Sequence, residues 1–304
     1  MKKTNKNISN QLGRIVKALS DSDSFKLVYY VPDHGELMPS NSSLTEIVDI
    51  LRKIIFPGYF GNSSLNQNNM PYYLGVTIDR LLHILSEQIR RGLCFACNEK
   101  KYLSCEACGE TAIKITMEFM SRLPKIRHLL STDVQAGYLG DPAAKGYGEV
   151  IFCYPSIRAL TNYRIAHELL NLNVPLIPRI ITEMAHSETG IDIHPGAKIG
   201  DFFMIDHGTG VVIGETCIIG NHVKIYQGVT LGAKSFPVDN DGNPIKGIPR
   251  HPIVEDNVII YAEATILGRI RIGGNVWITK DIPPNSKIVQ NRVRESYFAK
   301  GAGI

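Results

Sequence analysis

The sequence contains no run of about 18 consecutive uncharged apolar residues, the length a membrane-spanning helix requires, so none is expected. Its basic start, MKKTNKNISN, lacks the apolar stretch that would make it read as a secretory leader. Charge of one sign is also scarce. The 33 Lys and Arg against 29 Asp and Glu leave a net charge of +4, too mild to argue for nucleic acid or a lipid surface, yet compatible with an anionic substrate. Tryptophan occurs once, and cysteine six times, in 304 residues. In the cytoplasmic setting these features imply, the cysteines are expected as free thiols or metal ligands rather than disulfides. The remaining composition, 44% hydrophobic and 20% charged, is that of a globular chain long enough for about two domains.

The chain reads as two unlike halves. Residues 1–187 carry helical patterns. Ser43-Leu-Thr-Glu46 reads as a capping box. Behind it Leu44, Ile47, Val48, Leu51, Ile54 and Ile55 fall on one helix face. Leu81, Leu82, Leu85 and Ile89 repeat that spacing, with Gly92 as a candidate stop. Further helices are expected at 112–123, ending before Pro124, at 157–172 and at 177–186.

From Ile191 the period changes to six. Ile193, Ile199 and Ile205 keep the count; after a two-residue offset Ile213, Ile219, Ile225 and Leu231 resume it; Val254, Ile260, Ile266, Ile272 and Ile278 complete it. Four residues after most anchors stands a second small or β-branched residue: Ala197, Cys217, Val223, Val229, Val258, Ala264, Ile270, Val276 and Ile282. Two inward positions per six residues mark a hexapeptide parallel β-helix, whose coils bury apolar side chains only by stacking. Antiparallel strands would alternate with period two. Residues 232–252 break the count with Asp, Asn, Gly and Pro and are expected as a loop extruded from the coil. The expected division is 1–187 helical, 188–285 β-helix and 286–304 a flexible tail.

Several segments resemble the serine acetyltransferase family: DVQAGYLGDPAA at Asp133–Ala144, NYRIAHELL at Asn162–Leu170, DIHPGAKIG at Asp192–Gly200, IDHGTGVVIGET at Ile205–Thr216, VTLGAKS at Val229–Ser235 and PRHP at Pro249–Pro252. The hexapeptide repeat alone would indicate only a broad transferase superfamily. An Asp-His pair inside a coil together with an Arg-His pair in the loop is far more specific. The resemblance implies an α + β architecture: an α-helical N-terminal domain followed by a left-handed parallel β-helix. It also implies a homotrimer or dimer of trimers, with active sites between neighbouring β-helices.

The reaction so implied moves an acetyl group from acetyl-CoA to the hydroxyl of L-serine, giving O-acetyl-L-serine for cysteine biosynthesis, with feedback by cysteine. A serine hydroxyl holds its proton at neutral pH and needs a base, a task suited to imidazole. The family match names His207 as that base and Asp192 as the carboxylate that fixes its tautomer. The two are 15 positions apart, a little under one coil. It places the amino acid among Asp141, Asp206, Arg250 and His251, carboxylates answering the ammonium and a guanidinium gripping the α-carboxylate. Gly232, Ala233 and Ala262 match positions where the backbone lies against CoA, although the family's Gly-Gly is Gly232-Ala233 here and Ile278 to Asp281 replaces a small-residue coil. Lys280 in that segment is a candidate phosphate contact.

Outside the resemblance, Cys94-Phe-Ala-Cys97 and Cys105-Glu-Ala-Cys108 form two CxxC pairs, a donor set for structural zinc or, alternatively, a cluster of reduced thiols. The C-terminal Ile304 resembles the family's tail, which inserts into O-acetylserine sulfhydrylase. The rival readings are another hexapeptide-repeat O-acyltransferase with a different hydroxyl acceptor, and a metal hydratase or scaffold on the same fold, which would need histidines converging on a metal.

Overall fold

A computed structural model describes residues 2–30, 37–61, 64–100, 105–235, 237–279, 282 and 287–288. Of the tail expected at 286–304, only 287–288 lie among them, as a strand and not as free chain; Ile304 lies outside them, as does Lys280. The chain divides into two compact units, Met1–Leu37 and Met38–Ile304. The first holds α1 (Lys2–Leu19) and the short α2 (Ser22–Phe25), which Asp21 caps by accepting from the Asp23 N–H at 3.1 Å.

Among the described residues the second unit opens with the helices α3 (Asn41–Ile55), α4 (Met70–Lys100), α5 (Cys105–Ser121), α6 (Leu123–Gly140), α7 (Tyr147–Cys153), α8 (Pro155–Asn171) and α9 (Ile177–Thr189). The apolar stripe of α3 is buried throughout, as its spacing predicts. Its cap is Ser40 and not Ser43: Ser40 has extended φ and ψ and accepts from the Ser43 N–H at 3.3 Å, so Ser43 already lies inside the helix. Gly92 does not stop α4. A Cβ there would stand 3.1 Å from the Pro175 carbonyl, so the glycine serves a close approach instead. Pro124 sits in the first turn of α6, where its missing N–H costs nothing, so it starts a helix as well as bounding one.

Among the described residues thirteen short strands follow, stacked in coils of three. The first coil is β1 (Asp192–Ile193), β2 (Lys198–Ile199) and β3 (Met204–Ile205). The second is β4 (Val212–Ile213), β5 (Ile218–Ile219) and β6 (Lys224–Ile225). The third is β7 (Thr230–Gly232), β8 (Ile253–Val254) and β9 (Ile259–Ile260); the fourth is β10 (Thr265–Leu267), β11 (Arg271–Ile272) and β12 (Trp277–Ile278), and β13 (Lys287–Ile288) continues the stack. All pairings between these strands are parallel, and they form three sheets: β1-β4-β7-β10, β2-β5-β8-β11-β13 and β3-β6-β9-β12. This is a parallel β-helix, and all twelve predicted anchors are buried in it. The register explains both breaks in the six-count. The corner between β3 and β4 holds two extra residues, and residues 233–252 connect β7 to β8. Within that connection Val238 and Pro244 make an antiparallel bridge.

One buried ion pair joins α6 and α8 to the first coil. Arg164 meets Asp133 with two nitrogens, at 2.9 and 3.1 Å. The same guanidinium donates to the Ile199 and Gly200 carbonyls, each at 2.7 Å, while Asp133 accepts from the Phe203 N–H. Both side chains are at most 3% exposed. Replacing Asp133 by Ala is expected to cost about 3–5 kcal/mol, because it strands a buried guanidinium. A thermal midpoint lowered by on the order of 10 °C would register this, and an unchanged midpoint would contradict it.

Candidate active site

The wide corner between β3 and β4 carries His207. Its φ is +55° and that of the following Gly208 is +95°. A Cβ on Gly208 would lie 2.5 Å from Ile191, so the chain can turn tightly here only through glycine. The imidazole projects outward, 76% exposed, and its Nε2 lies 3.8 Å from Asp206. Asp206 is itself only 14% exposed and pairs with the Lys224 ammonium at 3.1 Å.

Asp141 reaches this corner from the helical half. It is the C-cap of α6, accepts the Ala143 N–H at 2.8 Å and accepts the Tyr154 hydroxyl at 2.5 Å. The Tyr154 hydrogen bond, then the Ala143 N–H, hold its carboxyl below the usual carboxylate range. Burial and the neighbouring Asp141 carboxylate push the Tyr154 phenol up, so it stays a donor. Lys224 donates to the Gly140 carbonyl at 2.7 Å, so Asp141, Asp206, His207 and Lys224 form one group.

Asp192 lies at the start of the same sheet, opposite Val212 on the next coil. The Gly210 N–H bonds the Gly190 carbonyl, which sets the His207 corner against the strand that Asp192 opens. No hydrogen bond or ion pair joins Asp192 to His207 within the chain. Asp192 instead comes within 4.8 Å of ligand-type atoms of Glu183 and His186 at the end of α9.

Arg250 and His251 occupy a second corner, between the first and second sheets. Arg250 pairs with Glu215 at 2.6 Å, and its N–H donates to the Thr216 hydroxyl. That hydroxyl also accepts from the His251 N–H, which leaves its own proton for His251 Nδ1, 2.9 Å away. Nδ1 accepts the Thr216 N–H as well, so the ring is neutral with its proton on Nε2. Burial, and then the Arg250 guanidinium, bring its pKa down to about 4. His194 nearby is also lowered, by burial and then Arg179. The Arg250 and His207 corners lie at opposite edges of the first sheet, separated by about four extended residues at about 3.3 Å each, on the order of 13 Å.

Beside Arg250 opens a cleft of about 220 Å³, lined by Lys234, Ile248, Pro249, Leu267, Gly268 and Arg269 among others. Arg269 donates to the Thr216 and His251 carbonyls at 2.7 and 2.9 Å, pinning the end of the 233–252 connection. Gly232 pairs with the lining residue Leu267 in the first sheet, and a Cβ there would meet Leu267 at 2.8 Å. Ala233 is half-buried, and Ala262 lies exposed at the turn after β9.

No protein-family model matches the chain. A curated plasmid-encoded serine acetyltransferase of Synechococcus elongatus is 49% identical over 302 residues, covering 96% of this chain and 95% of that protein. The chain belongs to the serine acetyltransferase family. The serine acetyltransferase of Mycobacterium tuberculosis is 45% identical over 163 residues, 52% of this chain and 67% of its own. The crystal structure of Entamoeba histolytica serine acetyltransferase 1 in complex with L-cysteine aligns with a TM-score of 0.64 at 35% identity, over 93% of this chain and 97% of that one. Helices followed by coils of parallel strands are consistent with the left-handed β-helix of these serine acetyltransferases. Among the described residues no helix is long and apolar enough to cross a membrane.

Tyr154, Lys224 and Arg269 lie outside the quoted motifs of the serine acetyltransferase family, and Glu215 and Thr216 close one of them without a role that the motif assigns. Lys224 occupies an ordinary outward position of its repeat, and only the stacking register puts it beside Asp206. The cysteines meet in part: Cys97 and Cys108 sulfurs are 3.6 Å apart across the α4–α5 hairpin, with Cys94 and Cys108 buried. Cys94, Cys97 and Cys108 do not close into a group of three mutually adjacent ligands. Cys217 is buried in the coil, where burial pushes its thiol up to about 12, so it is inert packing.

The neutral His251 links stability to pH. The unfolded chain binds its proton near pH 6.5 and the folded one only near 4, so stability rises with pH across that window and is lost on acidification through it. The thermal midpoint of His251→Asn is expected to fall less between pH 6.5 and 4.5 than that of the unaltered protein. Parallel curves would count against the assignment.

Proposed function

We propose that the chain transfers acetyl from acetyl-CoA to the L-serine hydroxyl with His207 as general base. The reading is carried by one observation: an exposed imidazole at a widened corner, flanked by two carboxylates that come from different elements. His207 takes the hydroxyl proton as the serine oxygen attacks the thioester carbonyl. When the carbon–sulfur bond breaks, the imidazolium returns that proton to the departing thiolate, so the ring is regenerated. Asp192, one coil below, would accept from Nδ1 once the unpacked ring turns toward it and would steady the imidazolium.

Asp141 and Asp206 answer the serine ammonium. Arg250 and the Nε2–H of His251 answer its carboxylate. Since these groups stand at opposite edges of one sheet, the reading calls for a neighbouring copy to bring the second corner to the first, hence a homotrimer or a dimer of trimers. The cleft beside Arg250 fits an anionic donor: Lys234, Arg250 and Arg269 are cationic, and Gly268 in its wall leaves the backbone open to a thin pantetheine arm. The L-cysteine in the E. histolytica crystal supports a site that takes small amino acids, and L-cysteine as a feedback ligand competing with serine. The loop expected at 232–252, of which Gly232 belongs to β7, and docking of the Ile304 tail on O-acetylserine sulfhydrylase are part of this proposal.

The test is a thiol-release assay with acetyl-CoA against a panel of hydroxyl acceptors. His207→Ala is expected to lower kcat about 10³-fold, and Arg250→Ala to raise the serine KM at least ~10-fold. Co-expressing the two should regain activity, because mixed assemblies contain sites in which both residues are intact. A panel preference for another hydroxyl, or no regain, would refute the acceptor or the shared site respectively.

Structural zinc at Cys94, Cys97, Cys105 and Cys108 is a separate part of the proposal. The 3.6 Å between Cys97 and Cys108 sulfurs is near the edge of a tetrahedron with zinc–sulfur bonds of about 2.3 Å, and Cys105 opens α5 one turn before Cys108. Elemental analysis of the purified protein should give about one zinc per chain, lost in Cys108→Ser. Metal-free protein of unchanged stability would favour plain thiols.

A further inference from the structure

Lys224 has no place in the chemistry above, yet it is the most connected cation of the His207 corner. Its side chain is 15% exposed. Its ammonium donates to the Gly140 carbonyl at 2.7 Å and meets Asp206 at 3.1 Å. It also lies 4.6 Å from the centroid of the Tyr226 ring, which stacks on Tyr261. The Gly140 carbonyl belongs to the last turn of α6, where a cation is favoured by the helix dipole. The next residue is Asp141, held from its other side by the Tyr154 hydroxyl.

The charge count of this corner is informative. Asp141 and Asp206 contribute two negative charges, and Lys224 neutralises one. What is left suits a substrate carrying a single ammonium. Burial opposes the lysine charge, but Tyr226 and the Asp206 carboxylate outweigh it and hold the ammonium above its ordinary range. Lys224 therefore stays charged wherever the enzyme works.

We propose that Lys224 positions the amine-binding carboxylates: it ties Asp206 on the β-helix to the helix end that presents Asp141, and leaves the pair one net negative charge for the amino group of the acceptor. This rests on the reading of Asp141 and Asp206 as the ammonium site. The lysine touches neither the reacting oxygen nor the thioester, so it acts on acceptor binding and not on proton transfer.

The experiment compares Lys224→Met, Lys224→Gln and Lys224→Arg with the unaltered protein, following CoA thiol release against L-serine and acetyl-CoA, with a thermal melt of each. Lys224→Met and Lys224→Gln should raise the serine KM about tenfold or more, with kcat and the acetyl-CoA KM within about threefold. Lys224→Arg, which keeps charge and reach, should recover most of the serine KM. A serine KM unchanged or lowered in the neutral variants overturns the proposal. So does a fall in kcat alone, or loss of the cooperative melt in both neutral variants, which would make the lysine structural. Failure of the underlying reading looks different: Asp141→Asn and Asp206→Asn, with Lys224 intact, would leave the serine KM unchanged.

Discussion

The buried contact between Arg164 and Asp133 is the joint between the two halves of the enzyme. A β-helix coil has open backbone at its first turn, and the helical half must meet it without orphaning those carbonyls. Arg164 meets two of them, and Asp133 meets the Phe203 N–H. Tyr163, one residue earlier, adds a bond of 2.7 Å to the Ala197 carbonyl. Because Asp133 lies on α6, this joint also fixes where α6 ends. Asp141 arrives beside Asp206 and His207 as a consequence of packing two turns away.

From that joint the site is built by register. The two extra residues between β3 and β4 make a corner wide enough to push His207 into solvent, with the positive φ that Phe202, His222 and Asn257 also adopt at the ordinary corners. Sparse backbone regions of this kind persist where the surrounding structure over-determines them, here the stacked coils. The second corner is built by a different device. A single Thr216 hydroxyl takes two N–H groups and donates to His251, so the loop end is closed and the imidazole kept neutral in one network.

Much of this was legible beforehand. Period six is a local property, and each anchor from Ile193 to Ile278 must face inward whatever the rest of the chain does, so the coils could be counted from spacing alone. The stripe from Leu44 to Ile55 was equally plain. Helix ends were less so. Ser43 has the residue type of a cap and Gly92 that of a stop, but Ser40 stands closer to the extended chain and Gly92 meets the Pro175 carbonyl. Capping and close approach depend on neighbours that the local pattern does not contain.

The sequence by itself determined the repeat, the helical half before it and the residue types available for chemistry, because hydrophobic period and motif spacing are written along the chain. Only the tertiary structure decided which of those residues meet. Coil register set Lys224 against Asp206, α6 carried Asp141 to them, and the first sheet held Arg250 apart from His207. Such meetings depend on how many residues each corner absorbs and where a helix is pinned, and these are properties of the packed chain.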